Sequence, residues 1–352
     1  MSKIHQKMLE IYPSKLSLTY SNYHAETFSK QLYSQLNPRC EGVSSPSSSA
    51  AQRTIAVVGD AWTLRILRSV FRGQRRYGDF LQGFGVSRAV LTDRLTKLIG
   101  HGVLLRDVSG GGHPEYRLTE RGLDLWSLFL AMWLWELDWG TARDPDTWAP
   151  DLPRLQLTHT GCGQAMRPEL HCQRCNGLVS PFETQADSMQ AKASQDGSLP
   201  TAAVSLFRRA RQVSSTGTDP ARPSQRLVRV VGDRWNSSVV AAAFRGTRLF
   251  SQFQKELRIG PTQLSDRLSE LQQLGILQAH TCDGNRHEYR LTKAGIALYP
   301  LTLEMVRWGN RWMSTIEESL RIKHLTCQHE LAAIWHCGNC GKAIERTSLH
   351  FS

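Results

Sequence analysis

Val57-Val58-Gly59-Asp60-Ala61-Trp62 returns further along the chain as Val230-Val231-Gly232-Asp233-Arg234-Trp235, so Trp62 reappears as Trp235, 173 positions on. Working outward, the same offset carries Phe71-Arg72-Gly73 to Phe244-Arg245-Gly246 and Leu91-Thr92-Asp93-Arg94-Leu95 to Leu264-Ser265-Asp266-Arg267-Leu268. It also carries Tyr116-Arg117-Leu118-Thr119 to Tyr289-Arg290-Leu291-Thr292, and Trp135 and Trp139 to Trp308 and Trp312. One ungapped offset over that distance marks a duplicated domain. Two like units can present two like surfaces, which suits a partner with its own two-fold repetition.

A second duplication follows at a different offset. His159, Cys162, Cys172 and Cys175 return as His324, Cys327, Cys337 and Cys340, 165 positions on. The change of offset falls after Trp139, near the Pro-containing run Thr141 to Trp148, which reads as a linker. Each half is therefore a larger module followed by a small Cys/His element.

The 352 residues suit two such units, each large enough for a core. A formal charge of +12 favours a polyanionic partner, because Lys and Arg that neutralise phosphates release condensed counterions, although a generally basic soluble protein is also compatible with it. The N terminus lacks the charged start and apolar run of a signal peptide. The most apolar segment, Leu123 to Trp139, contains Asp124, Glu136 and Asp138 and is too short to span a bilayer. Paired cysteine spacings read as metal ligands rather than a secreted disulfide framework. The expected address is cytoplasmic, with no membrane partner.

Residues 1–50 share nothing with the repeat and end in Ser44-Ser45-Pro46-Ser47-Ser48-Ser49, a composition expected to stay disordered. The Ser-, Ala-, Gln- and Thr-rich tract 183–225 reads as a flexible connector. Between them, Thr54 to Phe71 has helical periodicity ended by Gly73, and Tyr77 to Leu81 is a short second helix. Ser87 is the expected N-cap of a third helix with Leu91, Leu95, Leu98 and Ile99 inward. Val103 to Arg106 and Tyr116 to Leu118 read as strands joined by the glycine-rich tip Ser109 to Pro114. A long helix is expected from about Thr119 to Trp139. The second copy repeats the order, with a third helix from Pro261 to Leu274 and a hairpin tip at Asp283-Gly284-Asn285-Arg286.

Helix, helix, helix, strand, glycine-rich loop, strand is the order of a winged helix-turn-helix. The chain resembles the HxlR family of bacterial winged-helix transcription regulators. The resemblance rests on Gly59 to Leu67, on Gly73 with Arg76-Tyr77 and Phe80, on Ser87 with Leu91 and Arg94-Leu95, on Leu98 with Gly102-Val103-Leu104, and on Glu115 to Thr119 with Gly122. It covers about half of the chain. Gly59-Asp60-Ala61-Trp62 and Gly232-Asp233-Arg234-Trp235 stand where such proteins usually carry a Gly-Gly-Lys-Trp turn. Family members are commonly one-module homodimers joined through terminal helices; here the tandem repeat leaves a homodimer and an intramolecular pseudo-dimer both open. The expected fold class is mainly α with small β hairpins. Winged modules are expected at 51–141 and 226–316, with zinc-ribbon-like Cys/His elements at 155–182 and 322–347.

If residues 86–99 form the recognition helix, burying Leu91 and Leu95 turns Ala89, Thr92, Asp93 and Thr96 toward the major groove of double-stranded DNA, with Ser87, Arg88 and Arg94 at the flanks. Asp93 is read either as an acceptor from a cytosine amino group or as the orienter of a neighbouring arginine. In the second copy Thr262, Gln263, Ser265 and Arg267 take these places. Arg88, Ala89, Val90 and Lys97 become Pro261, Thr262, Gln263 and Glu270, which makes the first helix more basic and predicts an operator with two unequal half-sites. Arg75 and Arg248, ahead of the second helix, and His113 and Arg286, at the hairpin tips, are candidate backbone contacts, with a plain exposed charge as the alternative.

Trp126, Trp133, Trp135 and Trp139 leave the long helix apolar nearly all round, which implies packing between modules or between chains, or a tryptophan-lined pocket for a small-molecule effector. In the Cys/His elements, His-x2-Cys and Cys-x2-Cys suit tetrahedral zinc, expected as one ion per element. His171 and His336 compete with His159 and His324 for the fourth position, and a thiol switch or plain thiols are the rival readings. Cys40 and Cys282 are not duplicated. No nucleophile with a base, phosphate-cradling loop or open three-ligand metal site is evident, so an enzyme is not expected, and Asp60 and Asp233 read as helix caps. A metal- or thiol-responsive regulator and a protein-binding winged-helix scaffold are the alternatives to a sequence-specific DNA-binding transcription regulator.

Overall fold

A computed structural model describes residues 50–109, 113–140, 156–186, 225–282, 286–314 and 319–351. The expected tail up to residue 49, the run Thr141 to Trp148, most of the connector and Cys40 lie outside them.

The first module opens with α1 (Ala50–Val58) and α2 (Ala61–Phe71), not with one continuous helix. Asp60 causes the break: its side chain accepts from the amides of Trp62 and Thr63 and so starts a new helix, a cap worth about 1 kcal/mol. Gly59 is needed beside it, since a Cβ there would stand 2.4 Å from the Ile55 carbonyl oxygen. Next come α3 (Tyr77–Phe84) and α4 (Arg88–Gly100), with Ser87 accepting from the Val90 amide as the expected cap. Strands β1 (Leu104–Asp107) and β2 (Glu115–Leu118) pair antiparallel as the wing, Leu104 opposite Leu118. Leu91, Leu95 and Leu98 are buried in the same apolar core as Leu64, Leu67 and Phe80, but Ile99 is exposed, which corrects its expected inward placement. The expected long helix is also two: α5 (Glu120–Leu123), capped by Thr119, and α6 (Trp126–Trp139).

The second module repeats this with α7 (Gln225–Val231), α8 (Arg234–Phe244), α9 (Phe250–Leu257), α10 (Pro261–Gln273), β7 (Leu277–Cys282), β8 (Arg286–Leu291), α11 (Lys293–Ile296) and α12 (Tyr299–Met313). Asp233 caps α8 as Asp60 caps α2.

The modules pack on each other within one chain about a pseudo-two-fold axis. Trp135 donates through Nε1 to the Ala294 carbonyl at 2.9 Å, and its counterpart Trp308 donates to the Arg121 carbonyl, the counterpart of Ala294, at 3.0 Å. Both indoles are buried. Helix α1 lies on α12 so closely that a Cβ at Gly309 would meet the Ala50 carbonyl oxygen at 2.1 Å. Ala50, assigned to the tail by composition, is in fact buried and begins that contact.

The Cys/His elements are β3 (Leu157–His159), β4 (Gln164–Ala165), β5 (Pro168–Cys172) and β6 (Thr184–Ala186), then β9 (Ile322–His324), β10 (His329–Glu330), β11 (Ala333–Cys337) and β12 (Leu349–Phe351). They are not two separate ribbons. β5 pairs antiparallel with β11, Leu170 facing Trp335; β12 adds to the β3–β4 hairpin, and β6 adds to β9–β10. The first residues of the expected connector thus form a strand, because β6 completes the sheet of the other half.

Candidate DNA interface and metal-ligand clusters

Helix α4 turns one stripe outward. Ala89, Thr92, Asp93 and Thr96 are all exposed, as are Ser87 and Arg88 at its start. Among the described residues the Arg88 side chain makes no hydrogen bond or ion pair, so its five donors are open to solvent. In the sequence Tyr77 reads as the head of the second helix and part of the family pattern, with no contact assigned; its hydroxyl donates to the Arg88 carbonyl at 3.1 Å and lies 3.1 Å from Thr92 Oγ1. It pins the start of α4 to α3. The signal for this was the aromatic ring at the head of the short helix, which the second copy replaces with Phe250.

Arg94 is placed differently from the other flanking residues. It is half-buried, with Nε 2.7 Å from the cap carboxylate of Asp60 and a further pair to Asp93. Lys97 Nζ reaches Asp93 at 2.7 Å. Burial tends to raise the Asp93 carboxyl, but Lys97 and Arg94 outweigh it and hold it below its ordinary value. The carboxylate therefore sits against an arginine, the second of its two expected readings. In the second copy Arg267 lies 3.3 Å from Asp233 and 2.7 Å from Glu270, which also accepts from Arg229 and Asn236. Arg94 thus ties α4 to the N-cap of α2, and Arg267 ties α10 to the N-cap of α8.

Thr262, Gln263 and Ser265 are exposed on α10. Arg75 is exposed with Glu115 at 3.9 Å, whereas Arg248 is half-buried and donates to the Ala243 carbonyl at 2.8 Å. His113 is exposed, and the Arg286 side chain lies outside the described residues.

Two donor clusters form in the Cys/His region, and their membership corrects the expected one. His159 and Cys162 meet Cys337 and Cys340; Cys172 and Cys175 meet His324 and Cys327. Each set mixes the two halves. Sγ of Cys162 is 3.9 Å from that of Cys337, Sγ of Cys172 is 4.0 Å from that of Cys327, and His159 Nδ1 is 3.4 Å from Cys340 Sγ. His324 Nδ1 stands 3.4 Å from both Cys175 and Cys327. Disulfide sulfurs would be about 2 Å apart. A tetrahedral ion with bonds of about 2.3 Å to sulfur and 2.0 Å to nitrogen requires donor separations of roughly 3.5 to 3.8 Å. The observed spacings bracket that range, so three thiolates and an imidazole fit such an ion at each cluster. His171 and His336 stay outside both: their rings stack 4.8 Å apart, and His171 engages the Asn176 carbonyl and Glu169. The Glu169 partner raises the His171 pKa against the effect of burial.

A paired recognition helix and wing, present twice and packed around one axis, defines a helix-turn-helix regulator of transcription. The chain belongs to the HxlR-like helix-turn-helix family, whose model matches residues 57–144 and 230–317, together half of its length. An uncharacterised HTH-type transcriptional regulator of Mycobacterium tuberculosis is 36% identical over 150 residues, covering 42% of this chain and 86% of the relative. That relative is about half as long as this chain. An uncharacterised HTH-type regulator of Synechocystis is 37% identical over 91 residues, 25% of this chain and 67% of the relative. YvaP of Bacillus subtilis, with the same description, is 29% identical over 92 residues, 25% of this chain and 85% of YvaP. No helix among the described residues is long and apolar enough to cross a membrane.

Proposed function

We propose that this chain regulates transcription by binding, as a single molecule, an operator of two related but unequal half-sites. The observation that carries the reading is the duplicated outward stripe, Ala89-Thr92-Asp93-Thr96 on α4 and Thr262-Ser265-Asp266-Ser269 on α10, on modules joined about one pseudo-two-fold axis. Two readers so joined match the symmetry of duplex DNA. Arg88 would grip guanine O6 and N7 or a phosphate, with Ser87, Thr92, Thr96, Thr262, Gln263 and Ser265 nearby, and Arg75 and His113 on the backbone. Arg94 and Arg267 act chiefly by holding their helices, since a phosphate contact would compete with their carboxylates.

The half-sites are unequal because α4 carries Arg88 and Lys97 where α10 carries Pro261 and Glu270. Zinc suits the donor sets and would supply cross-linking rather than chemistry, because side chains fill all four positions.

The test is genome-wide footprinting of the full chain, followed by anisotropy titration of a recovered site over a range of salt. A spaced pair of related sequences, bound with an affinity that falls steeply as salt rises, is expected. Equal affinity for every duplex would remove the sequence-specific reading.

A further inference from the structure

We infer that the chain holds two metal ions and that each is shared between its halves, so that the ions staple the duplicated units together. This does not depend on the operator reading.

The sharing follows from strand geometry. In each half the His-x2-Cys pair lies in a hairpin that ends just before the central strand: Ala165 is three residues ahead of Pro168, and Glu330 three ahead of Ala333. The Cys-x2-Cys pair begins at the far end of that strand, at Cys172 or Cys337. A five-residue strand advances about 3.4 Å per residue, which carries the second knuckle roughly 14 Å from its own hairpin. A four-donor site cannot close over that span. The antiparallel pairing of β5 with β11 removes the difficulty, because it sets Cys337 opposite Pro168 and Cys172 opposite Ala333. Each knuckle arrives beside the other half's hairpin.

Symmetry-related bonds fasten this exchange. The Gly338 amide donates to the Arg167 carbonyl at 3.0 Å, and the Gln173 amide donates to the Ala332 carbonyl at 2.8 Å. Strands β6 and β12 cross in the same sense. The donors also suit an ion on chemical grounds. Cys172, Cys337, His159 and His324 are buried, in a small region with little apolar core of its own. Three sulfurs and an imidazole nitrogen are the donor types that zinc prefers, and a closed site of four side chains would supply stability that the short strands cannot. Because both ions bridge the halves, their loss loosens the placement of one winged module against the other.

Paired substitutions separate shared from local sites. The full chain, purified with reductant and zinc, is analysed for bound metal by mass spectrometry. The unaltered protein should hold two ions per chain. Cys162→Ala with Cys337→Ala damages one shared site and should leave one ion; Cys162→Ala with Cys172→Ala damages both and should leave none. If each element closed its own site, the two results would exchange. Should a variant not fold, the unaltered chain loaded with the NMR-active isotope of cadmium decides the matter. One cadmium should then couple to the β-protons of Cys162, Cys337 and Cys340, the other to those of Cys172, Cys175 and Cys327. Coupling within elements, or a reduced folded chain that takes up neither zinc nor cadmium, overturns the inference.

Discussion

Where α6 carries Ala131 and Leu134, α12 carries Glu304 and Arg307 at the equivalent positions. The same pseudo-symmetric interface is thus apolar on one side and charged on the other. Glu304 is buried and accepts from Arg307 at 2.7 Å, Ser127 at 2.6 Å and Trp335 at 2.8 Å. Arg307 also reaches Asp124 at 3.0 Å. Burial works against the Arg307 charge, but Glu304 and Asp124 outweigh it and hold the proton more tightly than usual. The network joins both modules and, through Trp335, the metal-ligand region. A homodimer of identical chains would need the same residues on both sides; the tandem chain is free of that demand. Its polar cluster can be built once, off the axis, and select one packing of the two halves.

The largest expected effect tests this asymmetry. Arg307→Ala leaves the Glu304 carboxylate buried without its counter-charge and should cost about 3 kcal/mol in urea unfolding. Leu134→Ala, at the mirrored position and half-buried, should cost no more than about 2 kcal/mol. Equal losses would mean that the charged side contributes only its volume. A sharper form is Glu304→Ala with Arg307→Leu, which restores the residues of the first copy and should recover only part of the stability, because the uncompensated charge is gone but Trp335 Nε1 and the Ser127 hydroxyl lose their acceptor.

Next come α4 and α10, the helices proposed to read DNA. Arg88 is an unpartnered cation among the described residues, while Gln263 near the start of α10 is neutral. Arg88→Ala should weaken binding to a duplex carrying its half-site by roughly tenfold and relax the preference at one base pair, and Gln263→Ala should cost about threefold at most. Anisotropy on duplexes carrying one half-site twice would read the two separately. If both variants lost affinity equally, the half-sites would not be ranked by the charge of their readers.

The turn between α3 and α4 also differs from its counterpart between α9 and α10. Gly85 has φ 60°, and its counterpart Arg258 has φ 51°, a left-handed position that glycine adopts freely and other residues adopt at a cost. Gly85→Ala should therefore destabilise the first module by about 1 kcal/mol in thermal unfolding, although a Cβ there meets nothing within 4 Å. The second copy already carries that strain at Arg258.

The winged fold was legible because its signals are local and appear twice: Ser87, the leucines of α4 and the strands around Tyr116 stand where spacing and capping put them. Two helix breaks were missed for a local reason of another kind. Gly59-Asp60 and Asp124-Leu125 interrupt runs whose apolar spacing stays helical throughout, so Asp60 reads as a helix cap while the run around it still reads as one helix. Which side chains gather into donor clusters was legible, but which of them share a cluster was not. Because His159-Cys162 and His324-Cys327 are copies, spacing fits either closure, and only the β5–β11 register decides between them. Exchange between repeats leaves no mark in a sequence whose repeats are alike.

The smallest expected effect concerns the paired carboxylates on the outward faces. Asp93 is held below its ordinary value by Lys97 and Arg94 in spite of burial, so its contribution to stability is complete above the unfolded carboxylate pKa of about 3.9 and fades as pH falls through the lower folded value. The side chain is 48% exposed, so salt screens the effect; Asp93→Asn should cost at most about 0.5 kcal/mol at neutral pH and nothing once pH has fallen below the lowered folded value. Under the proposed docking the sign reverses toward DNA, because the substitution removes a negative charge from the stripe proposed to face it and releases Lys97. Affinity should rise a few-fold at low salt. Asp266→Asn should give a smaller rise, since no cation is recorded beside Asp266 among the described residues. A fall in affinity on Asp93→Asn would instead mean that this carboxylate accepts from a cytosine amino group, and α4 would then read bases through an acid as well as through Arg88.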